Sequence, residues 1–179
     1  RVMPETRRAL ALIQRYTLSL TQAKTVDQVC WELTKNVIAN LGFEDCVVYL
    51  FDPVKQVLVQ KAAHGPKNPI SLDILNPITI KPGEGIVGSV FLSGKHEVVS
   101  DTSLDKRYIV DDQSRMSEIT VPLLSRGKAI GVIDSEHPKK NFYTDEHLSI
   151  LSTLASITSN KIVETRAFSQ LEELNEALH

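Results

Sequence analysis

Three acidic residues lie in two neighbouring segments whose other residues are typical of β-strands. Glu118 belongs to the first segment, and Asp134 and Glu136 belong to the second, with Arg126-Gly127 between them as a hairpin turn. Side chains alternate between the faces of a strand, so pairing of the segments would bring the three carboxyl groups together. Carboxylates in a concave pocket favour a ligand with an amine or another cationic donor. The alternative is a partly solvated face with the acids at strand ends.

The same alternation assigns the opposite face of the hairpin to a hydrophobic core. Ile119, Val121 and Leu123 fall on that face and are predicted to bury against helices. The acidic face is predicted to be covered by a short helix over 85–93 and by the polar, irregular segment 101–115. The candidate ligand contacts are Glu118, Thr120, Asp134, Glu136, Asp101, Tyr108, Ile86 and Val132.

Other patterns that could carry chemistry are weaker. The run Gly83-Glu84-Gly85-Ile86-Val87-Gly88 matches G-x-G-x-x-G, but a dinucleotide site needs this motif in a parallel βαβ unit. Here the helix is short and the strands are predicted to be antiparallel, so the glycines are predicted to form a tight turn. The five histidines lack zinc-ligand spacing, and no pair of nucleophile and base stands out. We therefore predict no catalytic residue, metal or cofactor.

The composition argues against several classes of protein. The formal net charge of −2 over 179 residues gives no basic footprint for nucleic acid. No apolar run reaches the roughly 20 residues that a membrane-spanning helix needs. Cys30 and Cys46 lie in apolar contexts, which predicts buried, reduced thiols in a cytoplasmic protein. The chain begins without an initiator methionine, so we expect a fragment of a longer protein.

The middle of the chain alternates between strands and short connections. A helix beginning at Thr25 or Asp27 and ending at Gly42 leads into a hairpin that turns at Asp52-Pro53. A loop over 64–76 follows, and then the short strands PITI and HEVVSD on either side of the short helix. This order of helices and paired strands predicts an α+β fold, in which helices lie on an antiparallel sheet.

Helices are also predicted at both ends of the chain, over 4–24 and 144–179. Thr144 is a candidate N-cap for the last helix. That helix carries two apolar stripes, so it can pack on its own sheet and also on another helix. Its last turns lie beyond any domain body, where only the N-terminal helix or a partner chain could cover them. The candidate dimer-interface residues are Ile13, Tyr16, Leu154, Ile157, Phe168, Leu171 and Leu178.

Several motifs occur together in the order and at the spacing of one family. They are the glycine run at 83–88, Val99-Ser100-Asp101, Ser117-Glu118-Ile119-Thr120-Val121-Pro122-Leu123, Gly131-Val132-Ile133-Asp134-Ser135 and Phe142-Tyr143-Thr144-Asp145-Glu146. On these motifs the chain resembles a GAF domain. The resemblance implies a GAF/PAS-like central antiparallel sheet of about six strands, with the terminal helices on one face and a small-molecule pocket on the other. It also implies dimerisation through the terminal helices of a larger signalling protein.

The resemblance divides the chain into a signalling and dimerisation helix over 1–24, a GAF domain over 25–165 and an extension over 166–179. The extension would lead to an effector such as a histidine kinase or cyclase, as in two-component systems. GAF domains that bind cyclic nucleotides typically carry an Asn-Lys pair after the final strand, where this chain has Glu136-His137. Relatives that attach a bilin pigment use a cysteine in or near 101–115, where this chain has none.

A third branch, the free methionine-(R)-sulfoxide reductases, has a similar Ser-Glu-Ile-x-Val-Pro strand. The resemblance implies that Glu118, Asp134 and Glu136 match the acids that hold the substrate amine in that branch. Its catalytic and resolving cysteines lie between the first hairpin and this strand, whereas this chain has no cysteine from 47 to 179. Without a thiolate that redox chemistry cannot proceed, so only the binding half of the site is expected.

The leading prediction is a non-catalytic GAF sensor module that binds a small molecule and works as a homodimer. It has no nucleic-acid partner and no membrane insertion. The alternative is a ligand-free dimerisation spacer whose cavity is filled by Tyr108, Ile109 or Met116. A free methionine sulfoxide reductase is the third and least favoured hypothesis.

Overall fold

Helices and strands occur in the predicted order in a computed structural model, which describes residues 4–65, 74, 76–110 and 114–179. Most of the loop predicted over 64–76 lies outside the described residues. The elements, in chain order, are α1 (Pro4–Leu20), α2 (Val26–Leu41), β1 (Cys46–Asp52), β2 (Val57–His64), β3 (Thr79–Ile80), α3 (Gly85–Ser93), β4 (Glu97–Val99), a 3₁₀ turn (Thr102–Leu104), β5 (Ser117–Ser125), β6 (Lys128–His137) and α4 (Asp145–Ala177).

The described strands form one antiparallel sheet in the order β3-β2-β1-β6-β5-β4. Two hairpins, β1–β2 and β5–β6, lie side by side in it because β1 pairs with β6. Arg126 and Gly127 both have positive φ, 52° and 76°, as expected for a two-residue turn that matches the twist of the strands. The predicted α+β fold, with six strands in the described chain, is confirmed.

The first two helices are separated by a short connection with well-defined ends. The Thr25 hydroxyl accepts a hydrogen bond from the Gln28 N–H (3.1 Å), and the Gln28 side chain accepts one from the Thr25 N–H (3.3 Å), so α2 begins with a capping box. It ends at Gly42, which adopts a left-handed φ of 70°. Helix α1 ends at Leu20 rather than at residue 24, because the Thr21 N–H bonds back to Leu18 O (3.2 Å) and tightens the last turn.

One face of the sheet is covered by α1, α2 and α4. The Tyr16 hydroxyl of α1 lies 2.6 Å from Thr158 Oγ1 of α4, so a buried hydrogen bond joins the two terminal helices over the sheet. The N-terminal helix is therefore packed into the same core as the rest of the chain. Members of this core include Leu12, Tyr16, Leu20, Val29, Leu33, Val37, Val48, Ile119, Val121, Leu123, Ile133, Leu151, Leu154 and Ile162.

Two of the candidate dimer residues belong to this core and not to an outer surface. Tyr16 and Leu154 are both 0% exposed, because α1 packs on α2 and α4, and α4 packs on the sheet. Neither offers surface to a second chain in this arrangement, so their assignment to an interface is corrected. Ile13 and Ile157 are partly buried at the edge of the same core. The remaining three candidates lie on the last turns of α4.

The opposite face of the sheet carries a smaller apolar cluster beneath α3. Gly88 allows the close contact between α3 and the preceding turn, because a Cβ at this position would lie 2.5 Å from the carbonyl oxygen of Lys81. The Gly83 N–H in turn donates to Gly88 O (2.9 Å). The glycine run thus forms a tight turn and a close helix contact, as predicted. Members of this cluster include Val47, Tyr49, Leu58, Ala63, Ile86, Val87, Val90 and Val132.

Substitution of Gly88 by alanine should destabilise the domain by about 1–3 kcal/mol, because the new methyl group meets a backbone carbonyl that cannot rotate away. Urea unfolding followed by circular dichroism measures the difference. Ser89→Ala is the matched control: it lies on the next position of α3 and loses only the hydrogen bond from its hydroxyl to Gly85 O. Equal unfolding midpoints for the two variants would contradict the close-contact role of Gly88.

Candidate ligand-binding site

A cavity of about 230 Å³ lies on the α3 side of the sheet. The strands β5 and β6 supply its acidic residues, the first turn of α3 forms one side, and residues 78–80 and 109–110 complete the lining. The volume is below the roughly 300–1,000 Å³ of sites for drug-sized ligands, so the cavity suits a smaller molecule. Its lining residues are Tyr49, Ile78, Thr79, Ile80, Glu84, Gly85, Ile86, Val87, Ile109, Val110, Glu118, Asp134 and Glu136.

The register of β5 and β6 brings the three acids of this lining together. Glu118 pairs with Glu136, and Thr120 pairs with Asp134, so all four side chains share the face that α3 covers. Glu118, Asp134 and Glu136 are only 4%, 5% and 7% exposed. The acids therefore lie inside the structure, and the alternative of a partly solvated face with acids at strand ends does not describe them.

The acids lie close to one another and to a hydroxyl donor. The Thr120 hydroxyl donates to Asp134 Oδ1 (2.7 Å), and the Asp134 and Glu118 carboxyl groups lie within hydrogen-bonding reach of each other. Burial raises the pKa of Glu118 well above its usual range, and the charges of Asp134, Glu136 and Asp45 raise it further. Glu118 therefore favours its protonated form.

Asp45 and Arg115 lie outside the cavity lining, where Asp45 contacts the strand that carries Glu136. The sequence alone did not predict a role for either residue. Asp45 Oδ1 accepts a hydrogen bond from the backbone N–H of Glu136 (2.7 Å), while its Oδ2 lies 3.9 Å from Arg115 Nη1. Both side chains are buried, at 2% and 3% exposure. Asp45 precedes β1 and Arg115 precedes β5, so nothing local in the sequence indicated that they meet.

The other candidate contacts have different positions. Ile86 lines the cavity, whereas Thr120 and Val132 are fully buried and are not part of its lining. The Tyr108 hydroxyl accepts a hydrogen bond from the Arg115 N–H (2.9 Å) and contacts Glu136, which places it beside the cavity lining. Burial raises the pKa of Tyr108 above its ordinary value. The structure thus brings one of these four residues into the lining.

Asp101 is the candidate that lies elsewhere. Its carboxylate accepts hydrogen bonds from the backbone N–H (3.0 Å) and the hydroxyl (2.6 Å) of Ser103, and it lies 3.1 Å from Lys140 Nζ. These contacts, with the Ser103 hydroxyl foremost, lower the pKa of Asp101. The carboxylate caps the 3₁₀ turn and does not line the cavity, so the prediction of a ligand contact at Asp101 is corrected.

Arg107 anchors the segment that contributes residues 109–110 to the cavity lining. Arg107 donates to both carboxylate oxygens of Glu97 (2.8 and 2.6 Å) and to Asp105, in the bidentate geometry that gives arginine pairs their directionality. Two residues later, Ile109 reaches α3, where a Cβ on Gly85 would lie 2.9 Å from its Cδ1. Ile109 therefore lines the cavity without filling it, and Tyr108 and Met116 are not in the lining.

A stack of aromatic rings runs from the acidic strand to the start of α4. His137, next to Glu136, is stacked on Phe142 with ring centroids 3.6 Å apart, and Phe142 is stacked on His147 at 5.5 Å. His147 Nδ1 accepts the Thr144 N–H (3.1 Å), while the Thr144 hydroxyl accepts the His147 N–H (3.1 Å). This capping box confirms Thr144 as the N-cap of α4. Burial lowers the pKa of both histidines, and for His147 this favours the neutral form whose Nδ1 accepts in the cap.

Within the described residues, no group of three histidine, cysteine or acidic side chains is arranged to hold a metal ion, and no helix is long and apolar enough to cross a bilayer. A family profile described as GAF domain matches residues 23–163. The chain belongs to the GAF domain family. The fold and the motifs quoted above are therefore those of a GAF domain, and the predicted family is confirmed.

Two curated proteins are similar to this chain, and one of them is a regulatory protein. It is 23% identical over 176 residues to the Nif-specific regulatory protein of Azotobacter vinelandii, a match that covers 94% of this chain and 32% of that protein. It is 28% identical over 87 residues to Protein YtsP of Bacillus subtilis, covering 49% of this chain and 53% of YtsP. The chain thus spans about half the length of one relative and a third of the other.

Solved structures with this fold include a GAF domain of a phosphotransferase and a sulfoxide reductase. The GAF domain of an Acinetobacter phosphoenolpyruvate-protein phosphotransferase has a TM-score of 0.78 at 21% identity, covering 88% of this chain and 94% of that one. A free methionine-R-sulfoxide reductase from Neisseria meningitidis, solved with its substrate, also has a TM-score of 0.78, at 20% identity and with 93% and 95% coverage. At these identities the likeness shows a shared fold.

Replacement of Glu118 by glutamine should make the GAF domain more stable at pH 8 than the parent chain. The folded state holds the Glu118 proton more tightly than the unfolded state does, so stability is lost as pH rises from the ordinary glutamate pKa of about 4.3 toward the raised folded value. Glutamine cannot ionise and avoids that loss. Urea unfolding at pH 5 and pH 8 measures the effect, which should grow with pH.

Glu172→Gln, an exposed change on α4, is the control and should leave stability unchanged at both pH values. If Glu118→Gln were as stable as, or less stable than, the parent at pH 8, the strained acidic cluster would not exist as described.

Proposed function

We propose that this chain is the sensor module of a larger regulatory protein, and that its cavity binds a small molecule through a positively charged amine. The observation that carries the proposal is the set of three buried acids, Glu118, Asp134 and Glu136, in the lining of one cavity. A site that buries carboxyl groups without a ligand loses stability, and such a loss is typical of functional sites. A cation in the cavity would offset the mutual repulsion of the acids.

The rest of the lining limits what the amine can be attached to. Tyr49, Ile78, Ile80, Ile86 and Val87 give the cavity a largely apolar lining beside the acids. Small-molecule sites commonly combine such apolar walls with a few polar groups that fix orientation. The small volume and this lining favour a compact ligand with a short apolar part and one ammonium group.

We further propose that the module is not an enzyme in the manner of the sulfoxide reductases. Cys30 and Cys46 are the two cysteines of the chain, and both lie in the core on the helical face of the sheet, away from the cavity. Burial raises the pKa of the Cys30 thiol to about 12 and that of Cys46 well above its usual value. Neither thiol is available as the thiolate that the reaction needs.

Transmission would run through the terminal helices of a cytoplasmic homodimer to a linked effector, such as a histidine kinase or a cyclase. Leu171 is 63% exposed and Leu178 is 74% exposed, and Phe168 and Leu174 are similarly accessible, although all four are large and apolar. Leu171, Leu174 and Leu178 are spaced by three and four, as on one face of a helix. A second α4 is the partner whose stripe matches this surface.

Binding should follow the charge of the ligand. In a thermal-shift and NMR titration, n-butylammonium should stabilise the domain, while butyrate and n-butanol, which have similar size but no positive charge, should not. A wider panel of amino acids, nucleotides and tetrapyrroles then searches for the natural ligand. Glu118→Gln should abolish the response to the amine, and Glu172→Gln should retain it. No response to any amine would favour the ligand-free spacer.

Self-association should depend on the apolar stripe at the end of α4. Sedimentation analysis at tens of micromolar should give a dimer for the parent chain and a monomer for Leu171→Glu, because the new charge would be buried against the partner helix. Ser169→Glu adds the same charge to an exposed position two residues away, on a different side of the helix, and should stay dimeric. A monomeric parent chain would refute dimerisation through this surface.

A further inference from the structure

The three buried acids of the cavity cannot all be ionised at once. Glu118, Asp134 and Glu136 are 4%, 5% and 7% exposed and line one cavity, and like charges buried this close together leave at least one carboxyl group protonated. Asp134 accepts a hydrogen bond from the Thr120 hydroxyl (2.7 Å), which its ionised form allows. Burial and the neighbouring charges raise the pKa of Glu118, so the proton is assigned to Glu118, whose carboxyl group lies within hydrogen-bonding reach of Asp134.

The charges around this pair are negative on almost every side. Glu136 of β6 faces Glu118 across the hairpin, Asp45 approaches from the turn before β1, and Glu84 lines the cavity from the start of α3. The Tyr108 hydroxyl lies on the remaining side and favours its neutral form. Arg115 is the cation of this cluster among the described residues. Since it lies against Asp45 and is absent from the lining, a ligand does not meet it directly.

We propose that the ligand-free cavity stores one proton between Glu118 and Asp134, and that a cationic ligand enters in exchange for that proton. The inference rests on the proposed function and specifies how the same site is regulated. In the exchange, the Glu118 O–H bond breaks, its proton leaves to water, and an ammonium N–H of the ligand donates to the freed carboxylate. The net charge of the cavity is the same before and after, so the exchange adds no uncompensated buried charge.

The exchange makes the sensor respond to pH as well as to its ligand. At pH values where Glu118 is protonated in the empty cavity and the amine is charged, each ligand bound releases one proton. The dissociation constant should then fall by about tenfold for each unit of increase in pH. A site that bound the amine with ionised acids throughout would show no such dependence over the same range, because an alkylammonium group stays charged to about pH 10.

The stored proton can be tested without any ligand. Infrared difference spectra of the parent chain against Glu118→Gln, at pH 7, should contain the carbonyl absorption of a protonated carboxylic acid that the variant lacks. The spectrum of Glu172→Gln, which removes an exposed carboxylate, should show no such loss. Absence of a protonated carboxyl group from the parent at pH 7 would overturn the stored proton.

The exchange itself is tested by calorimetry with n-butylammonium chloride. Titrations at pH 7 in phosphate and in MOPS, which differ in ionisation enthalpy and contain no primary ammonium group, should reveal one proton released per amine bound. Binding without proton release would overturn the exchange while leaving the proposed function intact. If the amine did not bind at all, the proposed function and the exchange would fail together, and the infrared result would still decide whether the cavity holds the proton.

Discussion

The carboxyl groups of Glu118, Asp134 and Glu136 lose most of their hydration in the cavity, and this desolvation is the constraint on which the surrounding structure depends. Buried charges of one sign repel one another, so the acids depend on the groups around them. The Thr120 hydroxyl donates to Asp134, the Asp45 carboxylate accepts the backbone N–H of Glu136, and Arg115 lies beside Asp45. Asp45 precedes β1 whereas the acids lie on β5 and β6, so the site forms only once these strands have paired.

The other face of the same strands provides the stability that the acidic face lacks. Ile119 lies between Glu118 and Thr120 in β5, and it is fully buried in the core formed with α1, α2 and α4. Apolar burial at about 25 cal/mol per Å² makes this three-helix layer the main stabilising contribution to the fold. The two faces of the sheet thus have different roles, one in stability and the other in the proposed ligand binding. The helices on one side hold the sheet together, while the α3 side can retain an arrangement that is unfavourable until a ligand arrives.

Local rules in the sequence predicted much of the fold because they act over a few residues. Strand alternation placed the three acids on one face, and the caps at Thr25 and Thr144 marked where helices begin. Contacts between distant segments could not be predicted in this way: Asp45 and Arg115 meet only through the folded sheet. Periodicity found two stripes on the last helix but could not say which one faces the chain's own core, so Leu154 was assigned to the wrong surface.

The pairing of Glu118 with Glu136 also restricts how such a domain can diverge. Inserting or deleting a single residue within β5 would move every following side chain to the opposite face of the sheet. Polar side chains would then enter the hydrophobic core, and aliphatic side chains would face the cavity. Point substitutions have no such penalty, because they leave the register of the strand unchanged. Within this hairpin, new ligand preferences can therefore arise by exchanging side chains, whereas changes in length are confined to the connecting loops.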